Sequence, residues 1–357
     1  METERASRAA ARTNLIPFTE YTKPNYHAAA HHKLIAEHLE AVERGDIDRL
    51  MVFAPPRHGK SELASVRFPA WYLGKHPERE IIAAGYGERF AEEFGRIVRN
   101  VVAGDDFKRA FPGVALAADS QAAGRWHTNH AGAYRAAGVG SGITGRGANV
   151  VVIDDPIKGH EEAESQVVRD KVWSWYLSDV YTRLENPNAI VLIQTRWHWD
   201  DLAGRLLNEE ATGGDKWTVV EIPAINAQGQ ALWPERFPLE RLEQIRLVEG
   251  PRNWNALYQQ KPTPDEGGYF ERGWFRYFDD KVPPSHLLCY GASDFAVTAD
   301  GGDYTTHVIV GIDPLDDIYL LDLWRAQTAA DQWIDTLLAL SDRWHPHMWS
   351  AEKGQIE

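Results

Sequence analysis

Short, uninterrupted apolar runs alternate with longer segments of helical periodicity over the first 260 residues. Such runs are typical of strands buried on both faces of a parallel sheet, whereas apolar residues three and four positions apart are typical of amphipathic helices. The strands predicted in this way are residues 50–54, 80–84, 149–153, 189–196 and 217–222. The helices predicted before, between and after these strands are residues 31–44, 62–72, 88–102, 161–184, 200–207, 239–248 and 253–260, and a hairpin is predicted at residues 126–137. This alternation predicts an α/β domain with a mainly parallel sheet.

The segment APPRHGKS, residues 54–61, joins the first predicted strand to its helix. It matches the P-loop pattern G-x-x-x-x-G-K-S/T except at the first position, where Ala54 replaces glycine. In a P-loop, Lys60 reaches the β- and γ-phosphates and the Ser61 hydroxyl ligates Mg²⁺. The residues expected to bind nucleotide are Arg57, His58, Gly59, Lys60, Ser61 and Glu62. The alternative is an ordinary strand-to-helix turn that contains Gly-Lys-Ser by chance.

Two carboxylates, Asp154 and Asp155, follow the predicted strand 149–153. Ligands of open parallel sheets bind at the carboxyl ends of the strands, so these side chains are expected to face the P-loop. Asp154 is expected to hold the Mg²⁺ that bridges the phosphates, and Asp155 to polarise the attacking water. A plain turn is the alternative, which the upstream P-loop makes less favourable.

Two further segments are candidates for contact with the γ-phosphate. The strand 189–196 carries Gln194 and Thr195 near its polar end, and these side chains are expected to sense the γ-phosphate and signal its loss to the next helix. The glycine-rich run 138–147 carries Arg146, which a flexible loop can present to a phosphate or to DNA. A mobile surface loop is the alternative for this run.

The segment KPTPDEGG, residues 261–268, predicts a linker, and the pattern changes after it. Strands at residues 286–294, 305–312 and 318–324, a helix at 331–344 and a strand at 348–352 follow in the order of the first half of a ribonuclease-H-like fold. In that fold the first and fourth strands are neighbours, which would place Asp294 beside Glu352 as a pair of carboxylates for two Mg²⁺ ions, with Asp303 as an added ligand. The alternative is that Asp294 caps a turn and Glu352 is a surface charge.

The predicted fold is thus an α/β P-loop NTPase domain with a mainly parallel sheet, followed by an α/β ribonuclease-H-like part that is incomplete at the C-terminus. The expected divisions are an N-terminal arm at residues 1–30, a P-loop ATPase domain at 31–260, a linker at 261–284 and the ribonuclease-H-like part at 285–357. Because that part normally continues with a further carboxylate, the chain is expected to be a fragment or to lack a working nuclease.

Composition narrows the class of protein. The 357 residues are 43% hydrophobic and 25% charged, which is typical of a soluble protein of about two domains. A single cysteine, Cys289, excludes a disulfide framework and a cysteine-rich metal site. The net charge of -14 disfavours a tight, static nucleic-acid binder but not transient contact with DNA. The polar first 26 residues predict a loosely docked arm, and no apolar run is long enough to span a membrane.

Four segments together resemble the large terminase subunit of tailed bacteriophages and prophages. They are APPRHGKSE at 54–62, GSGITGRGANVVVIDDP at 140–156, IQTRWHWDDLAGRL at 193–206 and GASDFAVTADGGDYT at 291–305. The resemblance implies an ATP-driven DNA-packaging motor with an N-terminal ATPase and a C-terminal headful nuclease.

Carried over by residue, the resemblance matches Lys60 and Ser61 to Walker A, Arg57 to the arginine inside that loop, Asp154 to Walker B, Gln194-Thr195-Arg196 to the coupling motif, and Asp294 and Glu352 to the first two nuclease carboxylates. Many terminases have Glu where Asp155 stands here, and the third nuclease carboxylate has no counterpart before Glu357.

The same resemblance implies the ligands and partners. These are ATP with Mg²⁺, Mg²⁺ or Mn²⁺ at the nuclease site, double-stranded DNA, a portal protein, a small terminase subunit and further copies in a ring. In the ring Arg57 or Arg146 would act on a neighbouring nucleotide. The expected location is the host cytoplasm, away from membranes and outside the mature virion. A helicase-like translocase and a non-catalytic prophage remnant are the alternatives. The intact Gly-Lys-Ser sequence and the Asp-Asp pair argue against the remnant.

Overall fold

A computed structural model describes residues 2–143, 147–263, 275–278, 286–295 and 304–351 of the chain. The chain divides into two compact units, Met1–Glu271 and Arg272–Glu357. Most of the predicted linker lies outside the described residues, as do Arg146, Asp303 and Glu352. Within the described ranges, no helix has the length and apolar character needed to cross a membrane.

An eight-stranded sheet forms the centre of the first unit, in the order β3-β4-β5-β2-β6-β7-β1-β8. Its strands are β1 (Arg49–Phe53), β2 (Glu80–Gly85), β3 (Leu116–Gln121), β4 (Arg125–Thr128), β5 (Ala133–Gly138), β6 (Ala148–Asp154), β7 (Leu184–Gln194) and β8 (Thr218–Glu221). Neighbours from β5 to β8 are parallel, and β3 and β4 add an antiparallel edge. The predicted α/β class with a mainly parallel sheet is therefore confirmed.

Helices cover both faces of this sheet. The helices of the first unit are α1 (Glu2–Thr13), α2 (Leu15–Thr22), α3 (Ala30–Arg44), α4 (Phe68–Lys75), α5 (Glu88–Ala103), α6 (Asp105–Ala110), α7 (His160–Glu164), α8 (Gln166–Trp175), α9 (Leu202–Ala211) and α10 (Leu239–Asn253), of which α10 belongs to a separate apolar cluster with Ala224 and Trp254. Short π-helical segments occur at Glu62–Arg67, Tyr176–Val180 and Trp254–Tyr258, and a 3₁₀ turn at Tyr181–Arg183. The long helix predicted at 161–184 is therefore wrong: the Ser165 hydroxyl accepts the N–H of Val168 and begins a separate helix, α8.

The expected loose N-terminal arm is also wrong, because α1 and α2 pack onto the first unit. Ala11, Leu15 and Phe18 are fully buried, and the ring of Phe18 lies 6.3 Å from that of Phe107 and 5.9 Å from that of Phe111. These few apolar residues share one face of a segment that is otherwise polar, so average composition concealed the packing surface.

Alternate residues of the central strands enter different apolar cores. In β1, Leu50 and Val52 belong to the core on the side of α3 to α5, whereas Met51 and Phe53 belong to the core on the side of α8 and α9. Burial on both faces explains why the strand appears in the sequence as a continuous apolar run rather than an alternating one.

The register of the parallel strands brings three strand ends to one edge of the sheet. Phe53 at the end of β1 pairs with Gln194 at the end of β7, and Asp154 at the end of β6 pairs with Ile193 of β7. The segments that follow, the P-loop, Asp155 and Thr195, therefore start from neighbouring positions, as predicted for ligand-binding loops of a parallel sheet.

The second unit contains a four-stranded sheet in the order β11-β10-β9-β12 and one helix within its described residues. The elements are β9 (Leu288–Asp294), β10 (Thr305–Ile312), β11 (Ile318–Ala326), α11 (Ala330–Trp344) and β12 (Met348–Ala351). β9 and β12 are parallel neighbours with Ala351 opposite Ser293, which confirms the expected adjacency of the first and fourth strands. The assignment to the ribonuclease-H-like fold stays a prediction.

Candidate functional site

The P-loop segment leaves β1 at Phe53 and enters a continuous helical segment at Lys60. Two of its residues, Arg57 at φ 62° and Gly59 at φ 85°, lie in the left-handed region. A Cβ atom at position 59 would come within 2.4 Å of Nε2 of His32, so this position requires glycine for space as well as for conformation. The loop is thus a compact turn held close to α3.

Lys60 extends beneath the loop to the adjacent strand ends and is buried. Its Nζ donates a hydrogen bond to Thr195 Oγ1 at 2.6 Å and lies 3.4 Å from Oδ2 of Asp155. The lysine, the threonine and the carboxylate, which lie far apart in the sequence, are therefore in direct contact.

Asp154 is buried at the end of β6 and accepts hydrogen bonds from two hydroxyl groups. Ser61 Oγ lies 3.2 Å from Oδ1, and Ser65 Oγ lies 2.6 Å from Oδ2. Burial raises the pKa of the Asp154 carboxyl, and the charge of Asp155 adds to the rise, while Lys60 and the two hydroxyls oppose it. A bound cation would offset the cost of burying this carboxyl group in its charged form, so the position suits a metal ion.

The donor set at this point suits Mg²⁺. This hard ion is usually bound by one or two carboxylates together with substrate phosphates, and it prefers oxygen ligands. Asp154 and Ser61 supply a carboxylate and a hydroxyl oxygen within 3.2 Å of each other. Within the ranges that the structure describes, no cluster of three or more His, Cys, Asp and Glu side chains could hold a metal on its own.

Asp155 is held in one orientation by the end of β7. It lies at φ 42°, and its Oδ1 accepts the backbone N–H of Thr195 at 2.7 Å. Its carboxylate, 27% exposed, borders a small pocket. The residues that line this pocket are Asp155, Pro156, Ile157, Gln194, Thr195, Trp197 and Asp201.

The residues after β7 form a second buried polar group. The amide N–H of Gln194 donates to Oδ2 of Asp201 at 2.9 Å, and Nε of Arg196 donates to the same oxygen at 2.7 Å. Oδ1 of Asp201 accepts the N–H of Gly204 at 2.9 Å and so caps α9. Burial raises the pKa of the Asp201 carboxyl, and Arg196 opposes the shift. Gln194 therefore binds Asp201, whereas Thr195 binds Lys60.

Sequence reasoning missed Asp201, Ser65 and a histidine cluster. Asp201 had a signal, because aspartate before an apolar helical segment is a common N-cap. Ser65 lies one turn after Ser61, so its position on the same helix face was also readable from the spacing. The cluster consists of His31 and His32 on α3 and His58 in the P-loop, and no local pattern links residues so far apart.

The remaining predicted residues lie as follows. Arg57 is exposed on the loop, and Glu62 binds Arg67 at 2.8 Å and Lys23 at 2.9 Å, which ties the helix after the P-loop to the end of α2. Asp294 is exposed at the end of β9 in the second unit. The structure thus brings together Lys60, Ser61, Asp154, Asp155 and Thr195.

Comparisons with solved structures find similarity to phage packaging proteins. One is the large terminase of a thermophilic bacteriophage in complex with ADP, at 12% identity over 88% of this chain and 76% of that chain, with a TM-score of 0.35. Another is the large terminase ATPase domain of Thermus phage P74-26, at 16% identity over 67% of this chain and 100% of that chain, with a TM-score of 0.42. The Phi-28 gp11 DNA packaging motor is 9% identical over 87% of this chain and 82% of that chain, with a TM-score of 0.33.

No curated protein matches the sequence. The model of one protein family, described as "Terminase large subunit, T4likevirus-type, N-terminal", matches residues 51–277. This match covers more than half of the chain and includes the P-loop, Asp154, Asp155 and the end of β7. The chain therefore belongs to the terminase large subunit family.

Proposed function

We propose that the first unit, with its catalytic domain at residues 31–260, hydrolyses ATP to drive double-stranded DNA through a packaging motor. The observation that carries the proposal is the position of Lys60, which contacts both Thr195 and Asp155 while the adjacent Ser61 contacts Asp154. These three contacts support a phosphate-binding role for Lys60, a metal-binding role for Ser61 with Asp154, and a role as base for Asp155.

ATP binding would change the partners of Lys60 and bring a metal ion to Ser61 and Asp154. The phosphates compete with Thr195 and Asp155 for the ammonium group of Lys60, because charge-assisted contacts to phosphate oxygens are stronger than a bond to a neutral hydroxyl. Ser61 and Asp154 would hold Mg²⁺. When bound, Mg²⁺ neutralises charge on the β- and γ-phosphate oxygens.

The release of Lys60 frees Oδ2 of Asp155, while Oδ1 stays bound to the N–H of Thr195. The free oxygen accepts a hydrogen bond from a water aligned with the γ-phosphorus. As the water oxygen bonds to phosphorus, the bond to the β-phosphate oxygen breaks, ADP leaves with that electron pair, and a water proton passes to the carboxylate or the phosphate. Asp155 is shorter than the Glu found in many terminases, and its contact with the N–H of Thr195 would fix the direction of the remaining oxygen.

Hydrolysis would be transmitted through the residues after β7. Thr195 loses or regains Lys60 as the phosphates bind and leave, and its neighbours Gln194 and Arg196 bind the N-cap of α9 through Asp201. A small movement of β7 therefore reaches α9 through buried hydrogen bonds. In a ring on a portal, supplied with DNA by a small subunit, either Arg57, which is exposed, or Arg146 would contact the nucleotide of a neighbouring copy.

Steady-state ATPase activity tests this proposal. Lys60→Ala and Asp154→Ala are expected to reduce turnover at least a hundredfold, because each removes a group that stabilises phosphate charge in the transition state. Lys108→Ala and Asp119→Ala, which change exposed residues of the same types, serve as matched controls. Turnover close to that of the wild type in both site variants would refute the assignment.

We also propose metal-dependent DNA cleavage by the second unit, with its catalytic domain at residues 285–357. Its support is the position of Asp294 at the end of β9, whose parallel neighbour β12 ends just before Glu352. Glu352 and Asp303 are the proposed partners of Asp294 for Mg²⁺ or Mn²⁺. In a form that also carries the expected third carboxylate, plasmid cleavage with Mn²⁺ should be lost in Asp294→Ala and kept in Asp331→Ala. Equal cleavage by both variants would remove Asp294 from the site and favour a helicase-like translocase without nuclease activity.

A further inference from the structure

We propose that His31 and His32 are positioning residues of the nucleotide site, which act by fixing the peptide between His58 and Gly59. This inference rests on the proposed ATP site, because its consequence is phosphate binding by the P-loop. Both histidines belong to α3, outside the P-loop sequence itself.

The two imidazoles bind the same backbone carbonyl. Nε2 of His31 lies 3.0 Å, and Nε2 of His32 lies 3.1 Å, from the carbonyl oxygen of His58. A carbonyl oxygen only accepts hydrogen bonds, so both Nε2 atoms carry a proton. For His32 a second contact agrees with this tautomer, because its Nδ1 accepts the backbone N–H of Ala29 at 3.1 Å.

The direction of that carbonyl determines the direction of the next N–H. A peptide is planar and trans, so the carbonyl of His58 and the N–H of Gly59 point in opposite directions. Two donors hold the carbonyl toward α3, and the N–H of Gly59 therefore points away from α3. The phosphates of a P-loop are bound by N–H groups of this kind, so α3 prepares the loop for an anion before nucleotide binds.

Flanking contacts keep both rings in place and neutral. The ring of Trp233 lies 5.3 Å from that of His31 and 4.8 Å from that of His32, and the ring of His58 stacks on Phe237 at 4.4 Å. Burial lowers the pKa of each of the three histidines to about 4. Neutral imidazoles keep the single N–H that the carbonyl needs without adding a buried charge.

One feature speaks against a purely space-filling role for His31. Its Nδ1 is buried and has no hydrogen-bond partner within the part of the chain that the structure describes. A buried nitrogen without a partner costs stability that an apolar ring of similar size would not cost. The imidazole of His31 therefore has a role beyond filling space, which we assign to the hydrogen bond that its Nε2 donates to the carbonyl of His58.

The test compares side chains at positions 31 and 32 with and without the hydrogen-bond donor. His31→Phe/His32→Phe keeps the ring volume and removes both N–H groups, whereas His31→Gln/His32→Gln keeps an N–H at a similar distance from the backbone. His38→Phe is the matched control, because His38 lies on the same α3 and contacts the carbonyl oxygen of Leu34 rather than the P-loop. Calorimetry with ADP gives the dissociation constant, and ATPase assays give KM and kcat.

We expect the phenylalanine pair to weaken ADP binding and to raise the KM for ATP by about tenfold, in line with the loss of two hydrogen bonds. The kcat should change less than about threefold, because the groups that act on the γ-phosphate are retained, and the glutamine pair should bind ADP nearly as the wild type does. If the phenylalanine pair does not fold, the single variants His31→Phe and His32→Phe should each weaken ADP binding about threefold.

Wild-type ADP affinity in a folded variant without the donors, or equal losses in the phenylalanine and glutamine pairs, would overturn the inference. Lys60→Ala separates this outcome from failure of the proposed function. If the wild-type chain binds no ADP, or if Lys60→Ala leaves ADP affinity unchanged, the proposed ATP site itself is refuted. If Lys60→Ala loses ADP binding while the histidine variants keep it, only the role of the two histidines is refuted.

Discussion

Replacement of Asp201 by alanine should destabilise the link between the ATPase site and α9. The carboxylate is buried and accepts hydrogen bonds from Gln194 at 2.9 Å, from Arg196 at 2.7 Å and from the N–H of Gly204 at 2.9 Å. The alanine variant would leave the buried guanidinium of Arg196 against the ring of Phe53 with no carboxylate partner.

The expected loss follows from these contacts. Breaking a buried ion pair by removing one partner costs about 3–5 kcal/mol. The loss of the N-cap of α9, about 1 kcal/mol in typical helices, is part of that range. Asp170→Ala is the control, because its carboxylate is 54% exposed and pairs with Arg205 at 2.8 Å, so it should cost about 1 kcal/mol or less.

Hydrogen exchange at the amides of β7 and α9 measures the opening free energy of this region without a contribution from the second unit. A double-mutant cycle with Arg196→Ala should give a coupling energy of about 1–3 kcal/mol, since the two residues share one buried contact. A loss in Asp201→Ala no larger than that in Asp170→Ala, or strict additivity in the cycle, would refute the view that Asp201 joins β7 to α9.

Three other results are expected. Ser65→Ala should raise the Mg²⁺ concentration for half-maximal ATPase activity about tenfold, because a hydrogen bond to a charged group contributes about 1.5–3 kcal/mol, while Ser65→Thr should behave as the wild type; equal values in both variants would count against this role. Between about pH 6.5, the ordinary histidine pKa, and about pH 4, the pKa of His31 and His32 in the folded chain, the unfolded chain binds more protons. The free energy of unfolding should therefore decrease as the pH is lowered through this range, by up to about 1.4 kcal/mol per pH unit for each imidazole. Denaturant titrations at several pH values should give a smaller change of stability with pH in His31→Gln/His32→Gln than in the wild type. An unchanged pH dependence would contradict the burial of neutral rings. Phe18→Ala should cost about 3–5 kcal/mol in the same titrations, whereas a loose N-terminal arm predicts no change.

The sequence was sufficient to predict the strands that are buried on both faces of the sheet. β1, β6 and β7 were predicted because parallel strands covered on both sides need apolar residues at consecutive positions, and few other structures do. The register of these strands then placed Lys60, Asp154, Asp155 and Thr195 at one edge. For that reason the core of the candidate site was predictable from strand ends alone.

The features that the sequence patterns did not reveal depend on contacts between distant segments. The packing of α1 and α2 depends on Phe18 meeting Phe107 and Phe111, which average polarity cannot reveal. The hydrogen bond from Gln194 to Asp201 depends on the direction of one buried side chain, and the role of Gln194 at the γ-phosphate stays a prediction. The link from α3 to the carbonyl of His58 spans 26 residues and follows from tertiary packing.

The most direct test of the central claim is single-turnover hydrolysis of bound ATP by Asp155→Asn. The amide keeps the size of the side chain and leaves Lys60, Ser61 and Asp154 in place, so ATP should bind with nearly unchanged affinity. Hydrolysis should slow by about 10²–10⁴-fold, because the amide cannot accept the proton of the attacking water. Hydrolysis at the wild-type rate in this variant would contradict the claim that the carboxylate after β6 activates water at this sheet edge.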